Sequence, residues 1–129
     1  MFSDLSIKLT KSFDKREKHQ YGIYFTPTGT VEKILQYLEQ YMENVRTILE
    51  PSCGSCEYIN AITDIYHGLE IDCIELYVPI YKAIKNFETT ITDSNISIFN
   101  ENYLSSRSIK DKKYDLIIGN PPYFVMRKS

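Results

Sequence analysis

The 129 residues are 43% hydrophobic and 25% charged with a formal net charge of −2, which suits one globular domain around a single core. That balance excludes a global basic field for nucleic acid, and no apolar run approaches the roughly 20 residues of a membrane span. The chain is also small for an α/β enzyme that carries its own substrate-recognition region.

In chain order, Phe2, Leu5, Leu9 and Phe13 recur at spacings of three and four and predict an amphipathic helix over residues 2–16. Tyr21 to Phe25 reads as a short extended piece ending at Thr26-Pro27, with Thr26 as cap and Pro27 in the first helical position. Val31, Ile34, Leu35, Leu38, Tyr41 and Met42 then form the clearest apolar stripe of a helix. Strands follow at Val45 to Leu49, Leu69 to Ile74, Asn95 to Phe99 and Tyr114 to Gly119, the last reading as a buried parallel strand. Helices at Glu57 to Tyr66 and Pro79 to Phe87 separate the first three. Units of this length imply right-handed crossovers and a parallel sheet. The polar stretch from Glu101 to Lys113 is predicted to lie over a site or to move.

The unusual residues fall where these strands end. Glu50-Pro51-Ser52-Cys53-Gly54-Ser55-Cys56 follows the first, Glu75 ends the second, Asn102 follows the third, and Asn120-Pro121-Pro122-Tyr123 follows the fourth. Open α/β sheets bind ligands at that edge. The last quartet suits a planar base bearing an exocyclic amine. The Asn120 side-chain oxygen and the Pro121 carbonyl can accept its hydrogens, two prolines hold the backbone nearly rigid, and Tyr123 offers a stacking face. Cys53 and Cys56 also make a Cys-x-x-Cys, but no second pair follows and the only histidines are His19 and His67, so thiol or zinc chemistry ranks low. Three cysteines give no disulfide framework, and with no signal-peptide pattern at the start the expected setting is intracellular and soluble, in cytoplasm, nucleoid or nucleus. The basic clusters at Lys8 to Lys18 and Lys110 to Lys113 read as solvated faces, although the second could face a polyphosphate.

With these motifs the chain resembles the adenine-specific DNA methyltransferases that use S-adenosylmethionine, over nearly its whole length from Tyr21 to Phe124. Gly22-Ile23-Tyr24-Phe25-Thr26-Pro27 is similar to an amino-terminal cofactor motif found in type I modification subunits. The resemblance implies that Tyr24, Thr26 and Pro27 hold the methionine end of the cofactor. It implies that Glu50, Pro51, Ser52, Cys53 and Gly54 form the cofactor loop, with Glu50 facing the ammonium group. Cys56 departs from the pattern, standing where a second glycine is usual, and either crowds the cofactor or lines its pocket. Glu75 would bind the ribose hydroxyls, with Asp72 ranked below it. Leu76 and Tyr77 would pack on the cofactor adenine, Asn102 would accept from its amine, and Tyr103 follows in the same cofactor-binding stretch. Asn120, Pro121, Pro122 and Tyr123 would be catalytic.

The implied fold is α/β, a Rossmann-like parallel sheet with helices on both faces, incomplete at the strand-four edge. Residues 1–20 would be an amino-terminal helical segment and 21–129 a partial methyltransferase domain. The expected partner is DNA as adenine acceptor. Because the motifs cover only the cofactor-binding half, the chain reads as a truncated gene, an expressed fragment or one part of a split protein whose second polypeptide supplies the remaining strands and the target-recognition region, and the isolated chain is expected to show weak or no turnover. Two alternatives stay open: methyl transfer to an RNA base or a protein glutamine, which the same quartet also serves, and a non-catalytic module that binds cofactor or a partner.

Overall fold

A computed structural model of the chain describes residues 1–21 and 25–120, the side chains of 19–21 excepted. Two short helices open it, α1 at Asp4–Ser12 and α2 at Lys15–Tyr21. The single helix predicted over residues 2–16 therefore breaks at Asp14. The Asp14 carboxylate accepts from Glu17 N at 2.7 Å while Glu17 Oε1 accepts from Asp14 N at 3.5 Å, a capping box that starts a new helix instead of continuing the old one. Tyr21 ends α2 rather than opening an extended piece, and residues 22–24 of that piece lie outside the described residues.

Helix α3 (Thr28–Leu38) tightens into a 3-10 stretch at Glu39–Asn44, which still buries Met42 on the predicted stripe. The chain then alternates through β1 (Thr47–Glu50), α4 (Glu57–Ile65), β2 (Glu70–Ile74), α5 (Val78–Ile84), α6 (Phe87–Thr90), β3 (Asn95–Phe99) and β4 (Leu116–Ile117). Val45 and Arg46, expected to begin the first strand, precede it, although Val45 is buried in the core. The four strands form one sheet in the order β3-β2-β1-β4, and every pairing is parallel.

This order explains which face is packed. The connections through α4 and α5 run the same way across the sheet, so right-handed crossovers put both helices on one face. On that face Ile48, Ile71, Cys73, Ile96 and Ile98 meet Ile59 and Ile62 of α4, Ile80 and Ile84 of α5, Val31 and Leu35 of α3, and Leu9 of α1. Burying each such side chain stabilises the fold by roughly 1.5–3 kcal/mol.

The connection from β3 to β4 runs the other way and crosses to the opposite face. There the alternation presents Thr47, Glu70, Asp72, Asn95 and Ser97, which line a polar pocket of about 270 Å³ with Lys112, Lys113 and Tyr114. Residues 100–115 carry only a 3-10 turn, Tyr103–Ser105, and no α-helix. Asp72 anchors this loop by accepting from Lys112 Nζ at 3.0 Å and Tyr114 OH at 2.6 Å. Strand β4 pairs with β1 alone among the described residues. Its Ile117 is 58% exposed, so the strand read as buried is covered on one side only.

Candidate active site

The strand order reverses between β1 and β4, and the carboxyl ends of those strands frame a crevice of the kind where open α/β sheets take ligands. Glu50 ends β1 and is 2% exposed. Its carboxylate reaches across to β4. A Cβ placed on Gly119 would overlap Glu50 Oε1 and lie 3.0 Å from Cδ, so only a glycine admits this approach without displacing the carboxylate. Burial pushes the Glu50 carboxyl well above the ordinary range, and Glu57 and Glu75 add to the rise. One backbone donor, Ser52 N at 3.3 Å, works against it.

After Glu50 the chain turns through Pro51 and Ser52 and ties itself to β2, with Cys53 N donating to Ile74 O at 3.0 Å. Gly54 sits at φ +53 with the Phe25 ring 3.5 Å from where a Cβ would stand, the close packing that the loop's glycine permits. Cys56 adopts φ 63, ψ 33 as the residue before α4. That is a left-handed conformation a glycine would take without strain. Its side chain is 1% exposed and joins Cys53 and Cys73 in the core, so it is part of the packing beneath the loop. Burial raises the Cys53 thiol, while the neighbouring thiols of Cys53 and Cys56 lower Cys73 to about 6. Among the described residues no cluster of His, Cys, Asp and Glu could hold a metal ion.

Glu75 follows β2 and receives two backbone donors, Gly54 N on Oε1 at 3.0 Å and Tyr77 N on Oε2 at 2.9 Å. It thereby joins the first loop to the second. Burial still raises its pKa, against the lowering by Tyr77 and Gly54. Asp72, the lower-ranked alternative, points to the opposite face and is engaged with Lys112 and Tyr114. Leu76 is 56% exposed beside Glu75. Asn100, which the sequence did not flag, donates from Nδ2 to the Glu75 carbonyl at 2.8 Å and the Leu76 carbonyl at 3.0 Å, binding the end of β3 to the end of β2. Asn102 caps the 3-10 turn by accepting from Leu104 N at 3.0 Å, and Tyr103 is 44% exposed within that turn.

Thr26 is buried but does not cap α3. Pro27 occupies the N-cap, with no side-chain bond, and the Met1 carbonyl accepts from Thr28 N at 2.6 Å and Thr28 Oγ1 at 2.9 Å. The Thr26 hydroxyl accepts from Asn120 Nδ2 at 3.1 Å, so the residue predicted as a cap meets the residue predicted as catalytic, 94 positions away. Tyr24, Pro121, Pro122 and Tyr123 lie outside the described residues.

The amino-terminal helices dock beside this rim. Ser6 of α1 hydrogen-bonds Ser55 at 2.6 Å and also donates to Glu57. Tyr77 donates to Glu17 of α2 and packs edge-on against Phe13, with centroids 5.3 Å apart. Helical periodicity marks Leu9 and Phe13 as buried, but a serine on the same face carries no signal of a polar partner across the fold. Two buried carboxylates with raised pKa, beside glycine-lined backbone, suit a ligand that brings an ammonium and hydroxyl donors.

A family model for N-6 DNA methylase matches residues 1–127. A type II methyltransferase, M.CvrRI, from Paramecium bursaria Chlorella virus XZ-6E is 30% identical over 96% of this chain and 30% of its own length. The modification methylase CviBIII from Paramecium bursaria Chlorella virus NC1A is 32% identical over 96% of this chain and 32% of its own. The chain thus spans about a third of the length of the curated relatives it matches. A crystal structure of a Galdieria sulphuraria protein, provisionally assigned as a sarcosine dimethylglycine methyltransferase, superposes with a TM-score of 0.56 at 17% identity, covering 90% of this chain and 47% of that one. That likeness concerns the fold. Among the described residues no helix is long and apolar enough to cross a membrane.

Proposed function

The chain belongs to the N-6 DNA methylase family, and from that premise we propose that it forms the cofactor-binding and catalytic part of an adenine-specific DNA methyltransferase using S-adenosylmethionine. The observation that carries the reading is the convergence of Glu50, Glu75 and Asn120 on one sheet edge: Glu50 touches the Gly119 side of β4, and Gly54 links it to Glu75. Glu50 would hold the cofactor's ammonium group, whose charge would offset the cost of a buried carboxylate. Glu75 would accept from the ribose hydroxyls while its backbone donors keep it fixed. Leu76 would lie against the adenine ring, with Asn102 and Tyr103 beyond it, and Tyr24 and Pro27 would line the methionine end. Pro51, Ser52, Cys53 and Gly54 bring backbone amides close to the same ligand.

When bound, the cofactor supplies an electrophilic methyl group on a sulfonium. The work of this chain is to raise the nucleophilicity of an adenine amine whose lone pair is delocalised into the ring. Accepting its hydrogens at Asn120 Oδ1 and the Pro121 carbonyl favours a pyramidal nitrogen with its lone pair directed along the line of displacement. Pro122 stiffens that carbonyl, and Tyr123 stacks on a base turned out of the duplex.

The deciding experiment is calorimetric titration of the chain with S-adenosylmethionine, followed by methyl transfer from labelled cofactor to duplex DNA, RNA and protein acceptors in parallel. Cofactor binding is the expected result, with weak or no transfer of label to DNA adenine by the chain on its own. No heat at high micromolar cofactor would sink the reading, and label on RNA or protein alone would redirect it to the other acceptors. Whether the chain acts alone or requires a second polypeptide is read from the same assay.

A further inference from the structure

We propose that Thr26 is the positioning residue for the catalytic amide: by accepting from Asn120 Nδ2 it turns Asn120 Oδ1 toward the adenine amine. This rests on the methyltransferase reading above and goes beyond it, since the family resemblance puts Thr26 on the cofactor.

A carboxamide is nearly symmetric in shape, and a half-turn exchanges its oxygen for its nitrogen. Only one of the two orientations serves here. An amine hydrogen needs an acceptor, and an NH₂ in that place would meet it donor to donor. The amide therefore needs a partner that holds its nitrogen on the far side. Thr26 Oγ1 lies 3.1 Å from Asn120 Nδ2, within hydrogen-bond range. Oxygen and nitrogen of a planar amide point apart, so the nitrogen held by Thr26 directs the oxygen the other way.

A second observation frees Thr26 for this role. The start of α3 is served by the Met1 carbonyl, which takes both Thr28 N and Thr28 Oγ1. Pro27 makes no side-chain cap. Thr26 is nonetheless 6% exposed, and a hydroxyl that deep is stable only with a partner inside the fold. Its link to Asn120 joins the segment before α3 to the end of β4. A shift of α3 thus moves the catalytic amide with it.

Two measurements on the 129-residue chain test this. The first is nuclear magnetic resonance of the Asn120 side-chain NH₂, needing neither cofactor nor turnover. Wild type shows one amide proton protected from solvent exchange; Thr26→Val, which keeps the shape and removes the hydroxyl, loses the protection, and Thr26→Ser retains it. An unprotected amide in wild type, or the same protection in Thr26→Val, overturns the proposal. The second is steady-state methylation of adenine-containing duplex DNA. Thr26→Val lowers kcat by about 100-fold, with cofactor affinity by calorimetry changed no more than about twofold, and Thr26→Ser recovers most of kcat. Loss confined to cofactor affinity returns Thr26 to the methionine end and overturns the positioning role. Failure of wild type to bind S-adenosylmethionine counts against the proposed function, while the amide signals decide the hydrogen bond independently.

Discussion

The two rims of the sheet carry acids in opposite states. At the amino end, Asp115 leads into β4 and accepts from Arg46 N at 2.8 Å and Thr47 N at 3.1 Å. Those backbone donors hold its pKa below the ordinary value. At the carboxyl end, Glu50 and Glu75 are buried and their pKa values rise despite their backbone donors. The first acid fastens β4 to β1 with donors the fold itself supplies. The other two hold charge in a place where the fold alone makes it unfavourable, which under the proposed function is the place of a cationic, hydroxyl-bearing ligand. The contrast separates a strand-end acid that maintains structure from one directed at a ligand, and mutation can break it.

The largest expected effect is at Glu75. Glu75→Ala lowers S-adenosylmethionine affinity by ~100-fold, the loss of charge-assisted hydrogen bonds worth about 1.5–3 kcal/mol, with the circular dichroism of the fold retained. Calorimetry checks it, and unchanged affinity would erase the distinction between the rims. Gly119→Ala is next. The new methyl displaces the Glu50 carboxylate and reduces affinity by about tenfold without altering Glu75, which separates the two carboxyl-end acids. Asp115→Ala then acts on stability alone, lowering the melting temperature by a few degrees with cofactor affinity within about twofold of wild type.

The smallest effect is the pH profile, where the rims differ in sign. A carboxyl raised in the folded state binds its proton more tightly there, so Glu50 and Glu75 favour folding most at low pH. Their contribution declines as pH climbs from the ordinary value of 4.5 through the raised folded value. Asp115 works the other way: its contribution is present above its ordinary value of 3.8 and disappears as pH falls through the depressed one. Denaturant unfolding of the free chain between mildly acidic and neutral pH should show stability falling with pH, and Glu50→Gln should flatten that slope. A slope that Glu50→Gln leaves untouched would remove the buried charge as its origin.

Much of this frame was legible in the residue order. Apolar periodicity predicts α4 and all four strands to within about two residues and marks α3 by its stripe, because burial of one face is a local constraint repeated along each element. The alternation of strand and helix then implies the parallel sheet, and with it the placement of Glu50, Glu75, Asn102 and Asn120 at strand ends. Composition also leaves room for only one core.

What the tertiary structure decided are the pairings between residues far apart in the chain. Thr26 before a proline and a helix reads locally as a cap, yet the Met1 carbonyl fills that role and leaves the hydroxyl to Asn120. Cys56 in a glycine's place reads as crowding the cofactor or lining its pocket, yet it takes a left-handed backbone and its thiol is buried in the core with Cys53 and Cys73. Gly119 reads as a strand's last residue, yet the Glu50 carboxylate fills the space that a side chain there would take. Asn100 had no signal at all. Hydrophobic period records only how often a side chain is buried, whereas a hydrogen bond or a steric gap depends on which distant atom the fold brings opposite.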